Sequence, residues 1–409
     1  MPGRWSLRAL GVAVVLAAFT ILVFAGWRAA LDRYAGAWTH QPEDAAWVLP
    51  DTAQALVEQS FADLDGAVVD RHVDLISDGQ LASAAVGGGA QADVGASPSG
   101  SPIAWARRRA VRHAAGMGDG VFADAEYMSR LLRQMAAMPG DYRARLFARD
   151  AVYDDQGRLA AAATTDFVAN AVVVWLAERA PDRLVPVVSV HPARDDAVQA
   201  LAHWAERGVK NVSWLPVAQR VDLDGAAANA AYAAMAEHGM TLHTRVGRWK
   251  SADGHEDTID PAALKPALDA GLEVSVAIGD VDTGPDIDVM ASLFSLLREP
   301  AYNARLRIDL GGVLEAGRLA DVLTPLLQHP QFFDRMRYAS AYPDPALAHA
   351  IDPARLADHD FLDPALVEPL RATYDVNPLL FALVTLRHVR LPTTGLHFPA
   401  SVFTQESGS

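Results

Sequence analysis

Leu184-Val-Pro-Val-Val-Ser-Val190, then Asp195–Arg207, then Val209-Lys-Asn-Val-Ser-Trp-Leu215 follow one another in the middle of the chain. The first and third are short runs rich in β-branched residues, the composition of buried strands. The middle stretch sets Val198, Leu201, Ala202 and Ala205 on one helical face, at the three-and-four spacing of an amphipathic segment. Strand, helix and strand over about 30 residues make one βαβ unit, and such a crossover implies a parallel sheet.

The same alternation extends in both directions. Further candidate strands are Ala67–Ile76, Arg143–Val152, Thr241–Val246, Leu272–Ile278, Leu306–Leu310 and Met336–Tyr342. Between them, Gly225–His238 is Ala-rich and stops at Gly239, Pro261–Ala270 also ends at a glycine, and Glu315–Gln328 aligns Leu319, Val322, Leu323 and Leu326. Eight strands with alternating helices predict an α/β fold, a closed (β/α)₈ TIM barrel, with a doubly wound open sheet as the alternative. The gap between the first two strands is too long for one crossover. It holds a segment over 82–102 of Ala, Gly, Ser, Gln and Asp, too polar and small to bury a core and so read as a flexible insertion. Helices over Trp105–Ala115 and Ala123–Met138 follow it, and one over Pro378–Arg387 precedes the end.

The chain of 409 residues has a net charge of -15 and no cysteine. Disulfides and thiolate metal sites are excluded, and the charge argues against a nucleic-acid partner, since phosphate binding needs clustered cations. Arg107, Arg108, Arg109, Arg112 and His113 read as one charged helix face. Ala9 to Trp27 is a run of 19 residues without charge, flanked by Arg4 and Arg8 before and Arg28, Asp32 and Arg33 after. About 20 apolar residues span a bilayer, so residues 1–33 read as a single-pass transmembrane anchor with the barrel on the extracytoplasmic side. A cleaved signal peptide, with Val23-Phe24-Ala25 as its site and a secreted or periplasmic product, is the alternative. Residues 34–65 then form a connector with short helical turns, 66–403 the barrel and 404–409 a tail.

Chemistry in a barrel lies at the C-terminal ends of the strands. The first strand ends with Asp70, His72 and Asp74 at alternate positions; successive side chains alternate faces, so the three share one. His191 ends the third strand, and Asp154 and Asp155 read as a turn. Asp280, Asp282, Asp286 and Asp288 lack calcium-loop spacing and read as a solvated loop.

The order of Tyr153-Asp-Asp-Gln-Gly-Arg158, Val187-Val-Ser-Val-His-Pro192, Trp214-Leu-Pro216, Asn377-Pro-Leu-Leu380 and Phe398-Pro-Ala-Ser-Val-Phe403 resembles a bacterial branch of the amidohydrolase superfamily. The likeness runs, with gaps, from about Ala67 to Phe403. It implies a metal-dependent hydrolase or lyase, whose divalent ion such as zinc makes hydroxide from water. The family's ligands are an H-x-H on the first strand, histidines on the fifth and sixth, an aspartate on the eighth and, in some members, a lysine on the fourth. Here the first histidine is His72 and the second is replaced by Asp74. Ser213 stands at the lysine position, Arg245 at the fifth-strand histidine, Ala277 or Ile278 at the sixth and Ala341 at the aspartate. A shift of two residues puts His243 in place of Arg245.

A guanidinium has no lone pair for a metal. The expectation is therefore a pseudoenzyme with a degenerate metal site and no cofactor, binding a small anionic ligand or a protein partner around His72, Asp74, His191, Ser213, His243, Arg245 and Asp309. An ion pair between Asp74 and Arg245 would stand in for the ion. The alternative is a rebuilt metal or acid–base site of His72, Asp74, His243 and Asp309.

Overall fold

The computed structural model describes residues 26, 48–77, 102–118, 120–251, 254–281 and 287–404. The apolar run Ala9–Trp27 lies outside them but for Gly26, as do the insertion over 82–102 and the tail but for Pro102 and Thr404. No helix among the described residues is long and apolar enough to cross a membrane.

Nine strands are described. Strand β1 (Val68–Asp74) pairs in parallel with β2 (Tyr142–Phe147), and β2 with β3 (Leu184–Val187). A second parallel set runs from β4 (Asn211–Ser213) to β5 (Thr241–Lys250), β7 (Glu273–Ile278), β8 (Leu306–Asp309) and β9 (Met336–Arg337). Two parallel bridges join the sets, Val188 to Val212 and Val73 to Tyr342. Hydrogen bonds reinforce both seams: Ser213 N–H donates to the Val188 carbonyl at 2.8 Å and Asp74 N–H to the Tyr342 carbonyl at 2.9 Å. The eight parallel strands therefore close into a barrel, and the open-sheet alternative is ruled out.

Helices cover the outside. Ala197–Glu206 and Ala226–Glu237 fall where the periodicity puts them, and Pro102–Ala114, Ala123–Ala136 and Pro378–His388 agree with it to within a few residues. The outward residues of the strands, among them Leu146, Val188, Val212, Leu242, Val276 and Ile308, are buried against these helices. Trp214 is fully buried, and its indole N–H donates to the Val190 carbonyl at 2.7 Å.

Two features depart from the sequence reading. Asp51–Phe61 is an 11-residue helix with Leu56 and Val57 buried, packed on helices Val367–Val376 and Pro378–His388. The packed unit thus begins before residue 66, within the expected connector. Strand β5 also runs past the barrel rim and turns back as β6 (Glu256–Ile259) in an antiparallel hairpin. The polar, charged composition of that segment hides it from a search for buried strands.

Candidate functional site

The end of β1 is not a regular strand. Its register with β2 slips between Asp70 and Val73. Asp70 is fully buried and accepts from the Tyr142 hydroxyl at 2.7 Å, Ser340 N–H at 2.8 Å and His72 N–H at 3.1 Å. His72 instead stacks on Phe147, with ring centroids 4.0 Å apart. Tyr142 and Phe147 are an odd number of residues apart on β2 and face opposite ways. Asp70 and His72 therefore do not share a face, which corrects the expectation from simple alternation. Burial raises the Asp70 carboxyl, and its hydrogen bonds to Ser340, Tyr142 and His72 work against that rise. Its role is to fasten the seam between β9 and β1.

His72 and Asp74 do meet, with Nε2 3.1 Å from Oδ1. The same carboxylate takes Arg149, whose guanidinium lies 2.8 Å from Oδ1 and also contacts Asp166. Burial would raise the Asp74 carboxyl, but Arg149, His72 and Arg245 hold it well below the usual range. On the other side of Phe147 is His243, edge-on with centroids 5.4 Å apart. Arg145 donates to His243 Nε2 at 3.1 Å, and the Asn211 side chain is also 3.1 Å from that nitrogen. The Arg145 guanidinium calls for Nε2 as an acceptor and the Asn211 Oδ1 calls for it as a donor, so the two contacts require opposite tautomers. Nδ1 is 3.9 Å from Asp309 Oδ2, and burial lowers the His243 pKa to about 4. Asp309 accepts from the Ser275 hydroxyl at 2.7 Å. Burial acts to raise its carboxyl, but His243 and Ser275 keep it below the usual range.

These contacts decide whether the residues fit a divalent ion. A metal needs the free lone pairs of several converging ligands. Here Arg145 occupies Nε2 of His243 and Arg149 occupies Asp74, while Phe147 packs its ring against both histidines. His72, Ser213, His243, Arg245 and Asp309 line one narrow, partly open crevice with Phe147. Among the described residues no three carboxylates or imidazoles converge as a metal site. The set His72, Asp74, His243 and Asp309 does not fit the ion the resemblance implies.

Arg245 is placed differently from expectation. Asp74 has its ion pair with Arg149, and Arg245 forms none within 4.0 Å of any described carboxylate. Its guanidinium lies 4.4 Å over the Trp249 ring, a cation–π contact, and its buried Nε has no hydrogen-bond partner among the described residues. Arg318 approaches the same indole at 5.6 Å. Trp249 is held by its N–H to the Val246 carbonyl at 2.8 Å. It lies on Gly279, where a Cβ would come within 2.5 Å of the indole nitrogen. The β5–β6 hairpin thus carries the residue that positions Arg245.

His191 is not part of this group. Its Nε2 donates to the Gln219 carbonyl at 2.9 Å, its Nδ1 accepts from Ala193 N–H at 3.1 Å, and its backbone N–H donates to Asp150 at 2.9 Å. Every polar group is satisfied, as in a clasp between strand ends. Asp154 makes the expected turn, accepting from Gln156 and Arg158 N–H, and Asp288 caps helix Val289–Arg298. Arg145, Phe147 and Arg149 escaped the sequence reading. Their signal is their placement at alternate positions at the end of the second strand, where side chains face the barrel mouth.

A (β/α)₈ barrel with a guanidinium–carboxylate network at its C-terminal mouth is the class these features define. No family profile matches the chain, and no curated protein matches it. Similar solved structures include an uncharacterized TIM-barrel protein from Bordetella bronchiseptica, at 17% identity and TM-score 0.45 over 71% of this chain and 94% of that one. A candidate 2-pyrone-4,6-dicarboxylic acid hydrolase from Pseudomonas putida shares 17% identity at TM-score 0.41, over 78% and 99% of the two chains. The 5-carboxyvanillate decarboxylase of Sphingomonas paucimobilis shares 13% at TM-score 0.42, over 78% and 97%. The barrel itself is established by the strand register and its two closing bridges.

Proposed function

We propose that this chain is a divergent barrel of amidohydrolase type that binds a small anionic ligand at its mouth through Arg245, without a metal centre. The observation that carries this reading is the pair of arginines, Arg145 and Arg149, seated on the lone pairs that a metal would need. Arg245 keeps its hydrogen-bonding capacity. A planar guanidinium of this kind matches a carboxylate or phosphate in two-point contact, and the indole beneath it fixes its plane. The test is a thermal-shift titration of the full-length chain with benzoate, malonate and inorganic phosphate, in the presence of chelator. Saturable stabilisation that is lost in Arg245→Gln supports the reading, since a ligand stabilises the state it binds. Stabilisation that needs added zinc or manganese overturns it.

The contact of His72 with Asp74 at 3.1 Å favours a second reading, a hydrolase or lyase working by acid–base chemistry through that pair. A pH–rate profile abolished by His72→Gln and retained in Arg245→Gln would select it. The apolar run Ala9–Trp27 supports tethering to a membrane, with the barrel outside the cytoplasm.

A further inference from the structure

The barrel interior opposite the mouth is basic. Arg145 reaches His243 across the barrel, so its face of β2 points inward, and Arg143 shares that face. Asp309 faces inward beside Ser275 and His243. Arg307, two residues before it on β8, and Arg337, in register with it on β9, therefore face inward as well. A barrel interior is ordinarily filled by branched aliphatic side chains.

The heads of Arg307 and Arg337 lie side by side at the N-terminal end. Arg307 Nη1 donates to the Ala304 carbonyl at 2.7 Å and the Leu306 carbonyl at 3.2 Å. Arg337 Nη1 donates to the Asp334 carbonyl at 2.9 Å and the Met336 carbonyl at 2.8 Å. These carbonyls stand at the starts of two paired strands, which run about 5 Å apart. On the other side of β9, Arg71 is buried and its N–H donates to the Tyr338 carbonyl at 3.0 Å.

The second edge of each fork is left over. Arg337 is 4% exposed, and no carboxylate among the described residues comes within 4.0 Å of its guanidinium. Its Nε is buried without a hydrogen-bond partner among those residues, as is Nε of Arg307. Arg307 Nη2 has Glu273 no nearer than 3.9 Å. Asp309, the carboxylate in register with Arg337, is turned to Ser275 and His243 instead. Burial, with Arg307 and Arg71 close by, lowers the Arg337 guanidinium to about 10. Solvent reaches this end of the barrel. Arg143 is exposed and Thr241 and Glu273 are half-buried, although all three are inward positions at strand starts.

We propose that the N-terminal end of the barrel binds a small tetrahedral dianion between the side edges of Arg307 and Arg337. The Nε–H and Nη2–H groups of a guanidinium are parallel donors spaced to meet two oxygens of one oxyanion. Paired strands set two such forks next to each other, and the anion supplies the counter-charge that Arg337 lacks. The site stands apart from Arg245, which lies at the opposite end of the barrel.

The experiment is equilibrium dialysis of the full-length chain against radiolabelled sulfate, with ionic strength held by sodium chloride. The parent and Arg245→Gln bind sulfate saturably and with equal affinity. Arg337→Met and Arg307→Met each bind it at least about tenfold more weakly. Absence of saturable binding by the parent overturns the inference. Binding that survives in both Arg337→Met and Arg307→Met also overturns it. Binding lost in Arg245→Gln overturns it too, and moves the anion to the mouth. Arg307→Met decides the matter where Arg337→Met fails to fold.

Discussion

Replacing Arg149 by methionine tests the network at its tightest contact. The Asp74 and Arg149 side chains are only 16% and 14% exposed, so the pair is largely desolvated. Removing the cation strands Asp74 with His72 as its one remaining side-chain partner. Breaking a buried pair in this way costs ~3–5 kcal/mol. The second partner of Arg149, Asp166, is 45% exposed and adds little. With an unfolding entropy of ~2.1 cal/mol/K per residue over about 340 residues, a loss of ~3 kcal/mol lowers Tm by about 4 °C. The double variant Arg149→Met/Asp74→Leu removes both charges and recovers part of the loss. The pH dependence follows from the depressed Asp74 carboxyl. Its stabilisation is complete above the unfolded value of ~3.9 and is lost as pH falls through the lower folded value. In Arg149→Met burial dominates and the carboxyl rises, so the variant is relieved on protonation and the gap to the parent narrows as pH falls toward ~4. Differential scanning calorimetry at neutral and acidic pH measures both effects. A single variant melting within about 1 °C of the parent, or a gap that does not change with pH, would refute the reasoning.

Other consequences follow from the same contacts. His243, lowered to about 4, binds fewer protons than an unfolded histidine between that value and ~6.5, so its contribution to stability is lost as pH falls through this window. In an NMR titration its ring stays neutral down to about pH 4, and a midpoint near 6.5 contradicts the burial of the ring. Phe147→Ala removes the ring packed against both histidines and costs ~3–5 kcal/mol by chemical denaturation, and a loss under ~1 kcal/mol refutes the close packing inferred for it. The intact chain remains in the membrane pellet after a carbonate wash, whereas a soluble form starting near Gly26 indicates a cleaved signal.

The fold was legible because its signals are local. Most barrel strands are short runs rich in β-branched and apolar residues, several crossover helices show a 3.6-residue period, and the eight expected strands are those that close the barrel. The strand ends that carry the candidate residues were legible, and the pairing of their side chains was not. His72, Ser213, His243, Arg245 and Asp309 do line one crevice. Which arginine meets Asp74 depends on strand stagger and on the slip in β1, and neither has a local signature. A slip of one residue reverses the facing of everything beyond it, as Asp70 and His72 illustrate. The hairpin that positions Arg245 is polar on both faces, so the hydrophobic pattern that reveals a buried strand is missing there.

Metal content of the purified full-length chain shows whether Arg145 and Arg149 keep divalent ions from the barrel mouth. Cells are grown with added zinc and manganese, the protein is isolated without chelator, and bound metal is counted by inductively coupled plasma mass spectrometry. With Arg145 and Arg149 on the candidate ligands, the account predicts well under one equivalent of any divalent metal and no fall in Tm on adding chelator. A full equivalent that disappears in His72→Ala or His243→Ala would contradict it.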